Sequence, residues 1–441
     1  MKKKLFCAAL CASLVASMMT GCGQSSGTSS SSTEEQSQGD TQDGESAKDG
    51  GAANTTEEGK LVYWSMWEAT EPQGQAISQA VEAFTADTGI EVDLQFKGRT
   101  GIREGLSPAL EAGTAIDLFD EDIDRVNTTW SAYLMDLEEL VKASDYESTA
   151  SQGLIAACRE VGGGTLKSIP YQPNVFAFFY NTEIFEAAGV TKAPATWAEL
   201  LDACEKIKAA GYTPITCDDA YITSMFGFHM SRLVGEPAVE AIVKEGKWDD
   251  PAVKKTAEDY AELAAKGYFS ETIEGNVWPA GQNSELALGT AAMYLNGSWL
   301  PNEVKDIATF KWGCFSYPAL EGGVDGVDAA NYGAQVFAIN KDSKNADSAF
   351  QLIEYITKGE YDKVLSELSV GIPADTRNTQ WPEMLESVKP VMESMKVRYP
   401  WAAGAEANAD LTPIIKENFL KLCGGTMSAQ EFVDAMASAG K

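Results

Sequence analysis

Val175-Phe-Ala-Phe-Phe-Tyr180 is an apolar run with the length of a buried β-strand. Further along the chain, Thr196-Trp-Ala-Glu199 has the composition of a capping box, in which the threonine and glutamate side chains satisfy backbone N–H groups at a helix start. The apolar face of that helix comprises Trp197, Leu200, Leu201, Cys204 and Ile207, and Gly211 ends it. The stretch therefore predicts a buried strand and an amphipathic helix.

The same alternation of strands and helices recurs along the chain. Leu61-Val-Tyr-Trp64 predicts a strand, and Ile90-Glu-Val-Asp-Leu94 alternates with the period of another. The helical stripe between them consists of Ile77, Ala80, Val81 and Phe84. Asp250-Pro251 and the Ser428/Glu431 pair mark two later helix starts. This order predicts an α/β fold with a largely parallel sheet, and a body of about 380 residues predicts two lobes.

The overall charge excludes several classes of function. The 441 residues include 34 Lys and Arg against 65 Asp and Glu, which gives a net charge of −31, and there is one His. Such an acidic surface repels phosphate backbones, so we expect no nucleic-acid partner. A single histidine excludes zinc sites built from several histidines and leaves little room for histidine-based catalysis.

The amino terminus has the features of an export signal. Lys2, Lys3 and Lys4 precede an apolar segment from Leu5 to Met19, which is short for a membrane span. The following Met19-Thr-Gly-Cys22 resembles the cleavage site of a bacterial lipoprotein, which implies a signal peptide over residues 1–21 and lipidation of Cys22. The alternative is an ordinary secretory signal with an incidental cysteine.

A tether follows the signal. Gly23 to Gly59 contains no large apolar residue and has eight carboxylates against one lysine, so we expect residues 22–59 to form a lipidated cysteine and a disordered acidic linker. The lipid would be the only membrane attachment, on the outer face of the bacterial cytoplasmic membrane. The body after residue 59 has five cysteines and no C-x-x-C spacing, so neither a redox motif nor a zinc knuckle is predicted.

Five blocks in order carry a family resemblance. They are Lys60-Leu-Val-Tyr-Trp-Ser-Met-Trp67, the stretch Ala177 to Leu201, Gly289-Thr-Ala-Ala-Met-Tyr-Leu-Asn-Gly-Ser-Trp299, Val336-Phe-Ala-Ile-Asn-Lys341, and the closing helix after Ser428. Together they resemble the family 1 extracellular solute-binding proteins of bacterial carbohydrate ABC importers. The resemblance covers nearly all of residues 60–441.

The resemblance implies a type II periplasmic-binding-protein-like fold, in which two α/β lobes are joined by a multi-strand hinge. The amino-terminal lobe would comprise residues 60–173 plus 318–371, and the carboxy-terminal lobe residues 174–317 plus 372–441. The chain would cross between lobes near 173–175, 314–318 and 371–374. The implied function is that of a monomeric, non-enzymatic substrate-binding subunit without a cofactor. It would capture a sugar by hinge closure and deliver it to membrane permease subunits.

Aromatic and amide side chains are candidates for the sugar site, because a neutral sugar presents apolar ring faces and a belt of hydroxyl groups. The resemblance places Trp299 where an indole stacks on a sugar ring and Asn174 where a hinge-side polar group contacts the ligand. Trp67 and Glu68 follow the first strand and are predicted to face the ligand, with Tyr171 beside the hinge. Further aromatic candidates in loop-like contexts are Trp278, Tyr332 and Trp401.

The acidic segment from Asp117 to Arg125 allows three interpretations. Asp120, Asp122 and Asp124 have calcium-loop spacing, but Arg125 and Ser131 occupy positions where such a loop needs glycine and glutamate, so no metal site is predicted. The resemblance implies that Asp124 and Arg125 hold sugar hydroxyls, with Glu121 as a further candidate. The structural alternative is a solvated helix start, where carboxylates are favoured anyway.

Two other functions remain open from the sequence. The same fold could bind a polyamine or a peptide, since carboxylates flanked by aromatic rings suit a cation. A surface glycoside hydrolase needs only two carboxylates at a suitable separation, and 65 acidic residues do not exclude it.

Overall fold

The computed structural model describes residues 60–440, with the side chain of residue 282 excepted. The predicted signal peptide, the lipidated Cys22 and the tether therefore lie outside the described residues. Within residues 60–440, every helix is too short or too polar to cross a bilayer. The five cysteines of this part of the chain are all free thiols, and four of them are buried.

Residues 60–440 form nine strands. They are β1 (Lys60–Ser65), β2 (Glu91–Phe96), β3 (Leu118–Asp122), β4 (Ile169–Asn181), β5 (Thr213–Thr216), β6 (Ala291–Gly297), β7 (Trp312–Phe315), β8 (Ala329–Ile339) and β9 (Val397–Tyr399). The main sheet order is β2-β1-β3-β8-β4-β6-β5, with β7 paired to β4 and β9 to β8.

The sheet is mixed, and the prediction of a largely parallel sheet is wrong. Strand β1 runs parallel to β2 and β3, and β5 runs parallel to β6. Strand β8, however, is antiparallel to both β3 and β4, and β4 is antiparallel to β6 and β7. The local strand–helix alternation predicted the outer strands correctly, but the central strands β4 and β8 pair across large sequence separations that no local pattern reports.

Eighteen α-helices cover these strands in the described part of the chain. They are α1 (Pro72–Thr88), α2 (Gly98–Glu111), α3 (Ile123–Thr129), α4 (Glu138–Lys142), α5 (Tyr146–Thr149), α6 (Gln152–Val161), α7 (Thr182–Ala187), α8 (Trp197–Ala209), α9 (Ile222–Val234), α10 (Glu236–Glu245), α11 (Pro251–Ala265), α12 (Ala280–Ala287), α13 (Leu300–Glu303), α14 (Ala346–Thr357), α15 (Gly359–Ser369), α16 (Lys389–Ser394), α17 (Thr412–Cys423) and α18 (Ala429–Ala439). Short 3-10 turns lie at Ser131–Tyr133, Ile273–Gly275, Glu383–Leu385 and Trp401–Gly404.

The predicted helix starts are confirmed. Thr196 and Ser428 each form a complete capping box with the glutamate three residues later, at the starts of α8 and α18. The Asp250 side chain accepts a hydrogen bond from the Ala252 N–H at the start of α11. These caps depend only on residues within one turn, which is why the sequence is sufficient to locate them.

Two separate hydrophobic cores define two lobes. The first core holds β1 to β3 with α1 and α2, and takes in residues from Leu61 to Tyr171 and from Ala334 to Leu365. The second core takes in residues from Val175 to Ala330 and from Ile372 to Met436. Tyr332 packs against both cores. The second crossing between lobes therefore lies on β8 around Tyr332, beyond the 314–318 segment that the resemblance implied, because residues up to Ala330 still pack in the second lobe.

Strand β4 shows how one strand serves both lobes. Its first half pairs with β8 from Ile169 to Val175, and its second half pairs with β6 and β7. The register shifts between Tyr171 and Pro173, and Gln172 takes a positive φ of 45°. A bulge bends a strand locally, and proline tolerates such a position because it has no N–H to pair. The bend lies at the first crossing between the two cores.

Candidate functional site

Four aromatic side chains cluster on the second lobe. The Phe176 ring lies edge-on to Trp299 and to Trp401, with centroid distances of 5.2 and 5.4 Å. Tyr221 lies 6.3 Å from each of the two indoles, and its hydroxyl accepts a hydrogen bond of 3.2 Å from Trp299 Nε1. We call Phe176, Tyr221, Trp299 and Trp401 the aromatic wall. Phe176 and Tyr221 are buried behind the indoles, so Trp299 and Trp401 are the members that offer flat apolar faces.

The position of Trp299 depends on the turn that precedes it. Gly297 ends β6, and a Cβ atom there would lie 2.4 Å from the Trp299 ring, so only glycine leaves room for the indole. Ser298 then anchors the turn to β4, since its N–H donates to the Val175 carbonyl and its hydroxyl accepts from the Val175 N–H. The tight turn that the sequence predicted at Gly297 and Ser298 thus sets the orientation of the ring.

Trp401 is the exposed member of the aromatic wall, with 39% of its surface open to solvent. Its Nε1 donates to Glu406 Oε2 at 3.1 Å, and Glu406 Oε1 accepts from the Thr223 hydroxyl at 2.6 Å. The carboxylate therefore fixes the indole to the start of α9. The ring face remains available for stacking.

A carboxyl group lies beside the aromatic wall. Glu303 ends α13, and its backbone N–H donates to the Trp299 carbonyl. Asn283 Nδ2 donates to Glu303 Oε2 at 3.3 Å, and Trp278, which is 42% exposed, also approaches the carboxyl group. Desolvation by the surrounding protein raises the pKa of Glu303 to about 7. The group therefore changes charge near neutral pH.

Trp67 and Tyr171 form a buried hydrogen-bonded chain in the first lobe. Trp67 Nε1 donates to Tyr171 Oη at 2.8 Å, and that hydroxyl donates to Asp120. Tyr63 donates to the other Asp120 oxygen at 2.8 Å. Burial raises the pKa of Asp120 to about 6, although these donors oppose the shift. Trp67 is 4% exposed and Tyr171 is fully buried. A ligand would therefore meet the groups that pack over these two side chains rather than the side chains themselves.

Arg99 covers Trp67. Its guanidinium lies 4.6 Å from the Trp67 ring centroid and forms an ion pair of 2.8 Å with Glu71. The same guanidinium lowers the pKa values of Tyr221 and Glu303 in the second lobe, although desolvation raises both overall. Tyr221 belongs to the aromatic wall and Glu303 adjoins it, so the charge of Arg99 acts on this part of the second lobe. Arg99 and Trp67 therefore mark the first-lobe side of the candidate cleft.

Glu68 is held against a glycine. Gly98 has a φ of +67°, and a Cβ atom there would lie 2.1 Å from Glu68 Oε1. Gly98 also donates its N–H to the Trp67 carbonyl at 3.3 Å. The exposed Glu68 carboxylate therefore packs on the backbone that begins α2, next to Arg99.

The acidic segment after β3 does not form a common site for a cation. Asp120 points to Tyr63 and Tyr171, Asp122 caps α3, and Asp124 Oδ1 forms an ion pair of 2.8 Å with Arg398 of the second lobe. Among residues 60–440 no three acidic, cysteine or histidine side chains converge as a metal site would require. The three carboxylates at calcium-loop spacing diverge because each is taken by a different partner.

Glu121 and Arg125 interact with each other. The buried Glu121 carboxylate accepts from Arg103 Nε at 2.8 Å and lies 3.1 Å from Arg125 Nε. Both arginines remain 41–42% exposed, so the pair presents guanidinium groups rather than a carboxylate to solvent. Asp122, between Glu121 and Asp124, has its pKa raised to about 7 by burial and by these two carboxylates.

Asn174 and Tyr332 lie in the hinge. Asn174 pairs with Gly333, and Val175 pairs with Tyr332, where β4 meets β8. The Tyr332 carbonyl accepts from Arg398 Nε at 3.0 Å. Both side chains are half-buried, at the point where the two strands pass between the lobes.

Sequence reasoning missed Tyr221, Arg99, Glu303 and Glu406. Tyr221 follows β5 through Cys217-Asp218-Asp219-Ala220, and polar loops at strand ends are the usual location of ligand contacts in α/β proteins. That signal was available for Tyr221 and, after β2, for Arg99. Glu303 and Glu406 lie within or after helices, and only tertiary packing brings them to the aromatic wall.

The chain belongs to the bacterial extracellular solute-binding protein family, whose model matches residues 68–363. A relative from Deinococcus radiodurans is 27% identical over 55% of this chain, and the match spans 60% of that relative's length. The maltooligosaccharide ABC transporter solute-binding lipoprotein of Streptococcus pneumoniae is 22% identical over 70% of this chain and 71% of its own. The matched family consists of binding proteins that act outside the cytoplasm.

Comparison with solved structures agrees with the family match. The structure of a chitin oligosaccharide binding protein superposes with a TM-score of 0.67 at 22% identity, over 86% of this chain and 98% of that one. The predicted periplasmic-binding-protein-like fold, with two α/β lobes and a multi-strand hinge, is confirmed.

Proposed function

We propose that this protein is the substrate-binding subunit of a bacterial ABC importer, which captures a sugar or oligosaccharide by hinge closure and delivers it to membrane permease subunits. The observation that carries the proposal is the aromatic wall of the second lobe, with the charge of Arg99 from the first lobe acting on Tyr221 and Glu303. Indole faces stack on the apolar faces of a sugar ring, and charged groups exchange strong, directional hydrogen bonds with its hydroxyls. The names of the relatives given above support the same ligand class.

The proposed contacts differ in role. Trp299 and Trp401 stack on rings of the ligand, and Trp278 extends the same surface past Glu303. Glu68 and Asn174 supply polar contacts from the first lobe and the hinge. Arg125, Asp124 and Glu121 contribute from the acidic segment, where Arg125 offers the most exposed group. Tyr332 lies at the hinge end of the site.

Trp67 and Tyr171 act from below the surface. Because the Tyr171 hydroxyl is fully buried and paired with Asp120, it orients Trp67, and Trp67 in turn supports the Arg99 guanidinium. We therefore propose that both stabilise the cleft floor. Direct contact with a ligand would require Arg99 to move aside.

The remaining features of the proposal concern attachment and activity. We propose that Cys22 carries the lipid anchor, that residues 22–59 tether the body to the outer face of the cytoplasmic membrane, and that the protein acts as a monomer without catalysis. The lobe division proposed from the sequence is modified so that β8 up to Ala330 belongs to the carboxy-terminal lobe.

A ligand screen tests the proposal. Thermal unfolding of the full chain would be measured with neutral oligosaccharides, with spermidine and with short peptides, because a bound ligand raises stability by RT ln(1 + [L]/Kd). We expect a saccharide to give the largest shift and calorimetry to confirm its affinity. A shift with spermidine alone would favour the polyamine alternative, to which the carboxylates Glu303 and Glu406 beside the indoles lend support. Release of reducing sugar from the same oligosaccharides would indicate a hydrolase.

A further inference from the structure

Glu303 combines exposure with a crowded environment. Its side chain is open to solvent, yet the surrounding protein raises its pKa to about 7. Protein atoms therefore replace part of the water around this carboxyl group without sealing it off. The backbone hydrogen bond from Glu303 to the Trp299 carbonyl places the residue directly beside the aromatic wall.

The neighbour of Glu303 offers an unused acceptor. Asn283 on α12 is 7% exposed and donates its Nδ2 to Glu303 Oε2. The Asn283 Oδ1 atom is buried and has no hydrogen-bond partner among residues 60–440. A buried acceptor without a partner is costly, so an unpaired atom next to Glu303 is a candidate for a hydrogen bond from a ligand. Asn283 Oδ1 and the Glu303 carboxylate together form an acceptor pair that suits donating hydroxyl groups.

Charged groups from several elements face Glu303. Arg99 on α2, from the opposite lobe, favours the ionised carboxylate, whereas Asp218 after β5 disfavours it. Tyr221 lies close enough to be influenced by both Glu303 and Arg99. Within the described residues the Tyr221 hydroxyl accepts from Trp299 and donates to no protein group. Hydrogen-bonding groups of both kinds thus lie close to Trp299.

On the basis of the proposed carbohydrate function, we propose that Glu303 is a specificity-determining ligand contact. Its carboxylate and Asn283 Oδ1 accept hydroxyl groups of the sugar ring that stacks on Trp299, while Arg99 donates to the same ring from the first lobe. A ring whose hydroxyls lie on one edge satisfies both acceptors at once, and a ring without them leaves two acceptors buried and unpaired. The site therefore selects by hydroxyl geometry as well as by ring face.

The charge of Glu303 makes this contact dependent on pH. A carboxylate accepts stronger hydrogen bonds than a neutral carboxyl group, so a hydroxyl ligand binds the ionised form better and lowers its pKa. Affinity should then rise about fivefold between pH 6 and pH 8, as the proton leaves a group with a pKa of about 7. Asp122 of the first lobe titrates in the same range, so a variant is needed to assign the effect.

Glu303→Gln keeps the size of the side chain and removes the charge. The full-length variant and wild type would be titrated calorimetrically at pH 6 and pH 8 with maltotriose, raffinose and chitotriose, and the tightest ligand of the wild type would be followed. We expect the variant to bind about tenfold more weakly at pH 8 and to lose the pH dependence. Glu271 is an exposed glutamate on the same lobe, so Glu271→Gln serves as the matched control. It should leave both the affinity and its pH dependence unchanged.

The outcomes separate the inference from the proposed function. Equal affinity and an equal pH profile in wild type and Glu303→Gln would overturn the role of Glu303 while the carbohydrate function stands. A pH dependence that persists in the variant would assign the titration to another group, such as Asp122, and would also count against Glu303. If wild type binds none of the three saccharides, the proposed function fails for these ligands, and the inference fails with it.

Discussion

Asp124 of the first lobe and Arg398 of the second lobe form an ion pair of 2.8 Å across the hinge. The Arg398 side chain is 9% exposed and also donates to the Tyr332 carbonyl, so it is held from both lobes. Asp124 was predicted from the family resemblance to hold sugar hydroxyls. One of its oxygens already has a protein partner, which gives this residue a part in joining the lobes.

Replacing Asp124 with alanine should therefore reduce stability. The change leaves a nearly buried guanidinium whose remaining hydrogen bond is to the Tyr332 carbonyl, and we expect the free energy of unfolding to fall by about 1–3 kcal/mol. Chemical denaturation measures this loss, and calorimetry with a saccharide on the same sample shows whether affinity falls as well. Unchanged stability would mean that the ion pair contributes nothing in solution.

Replacing Gly297 with alanine tests the aromatic wall without deleting an indole. The new Cβ atom would lie 2.4 Å from the Trp299 ring and force it to move, so saccharide affinity should fall by roughly 1–3 kcal/mol, as for truncation of a central contact. Gly275→Ala is the matched control, because a Cβ atom there meets nothing within 4 Å. Equal affinity in the two variants would remove Trp299 from the site.

Alanine substitutions at two glycines of similar backbone conformation separate the effect of displacing Glu68 from the effect of backbone strain. Gly98 has a φ of +67° and Gly113 a φ of +71°, but only at position 98 would a Cβ atom meet another group, the Glu68 carboxylate. Gly113→Ala should therefore incur only backbone strain of about 1 kcal/mol, while Gly98→Ala should also displace Glu68 and weaken ligand binding. Denaturation and ligand titration of both variants provide the comparison. If Gly98→Ala binds ligand as Gly113→Ala does, Glu68 is not a contact.

Tyr63 and Tyr171 both donate hydrogen bonds to Asp120, so the pH dependence of stability tests this buried hydrogen-bonded chain of the first lobe. Burial raises the pKa of Asp120 to about 6, above its unfolded value, so the folded state binds this proton more tightly and the contribution to stability falls as pH rises from about 4 to 6. Tyr171→Phe removes one hydrogen-bond donor to the ionised Asp120 carboxylate and also leaves Trp67 Nε1 without its acceptor. We expect a steeper loss of stability with pH and weaker ligand binding.

Tyr63→Phe is the matched control for that prediction. It removes the other hydroxyl donor to Asp120, at 2.8 Å, without touching Trp67. The stability of both variants, measured from pH 4 to pH 8, should respond to pH in the same direction, but only Tyr171→Phe should lower affinity. Equal affinities would show that Trp67 needs no support from Tyr171.

The sequence was a good guide wherever a feature depends on neighbours in the chain. The capping boxes at Thr196 and Ser428, the strand Lys60–Ser65 and the turn at Gly297 each follow from a few adjacent residues. The family resemblance nominated Trp299, and the loop-like context beside proline nominated Trp401; both stay predictions as ligand contacts. The second crossing between lobes was placed too early because the segment before Ala330 has no local feature that assigns it to one core.

The sequence by itself determined the α/β class, the local caps and the kinds of side chain available to a ligand site. Those follow from periodicity and from hydrogen bonds within a single turn, which act over a few residues. Only the tertiary structure decided that β4 and β8 run antiparallel through both lobes, that Asp124 pairs with Arg398, and that the charge of Arg99 acts on the Glu303 carboxyl group. These relationships join residues separated by more than one hundred positions, and packing of whole elements rather than local preference brings them together.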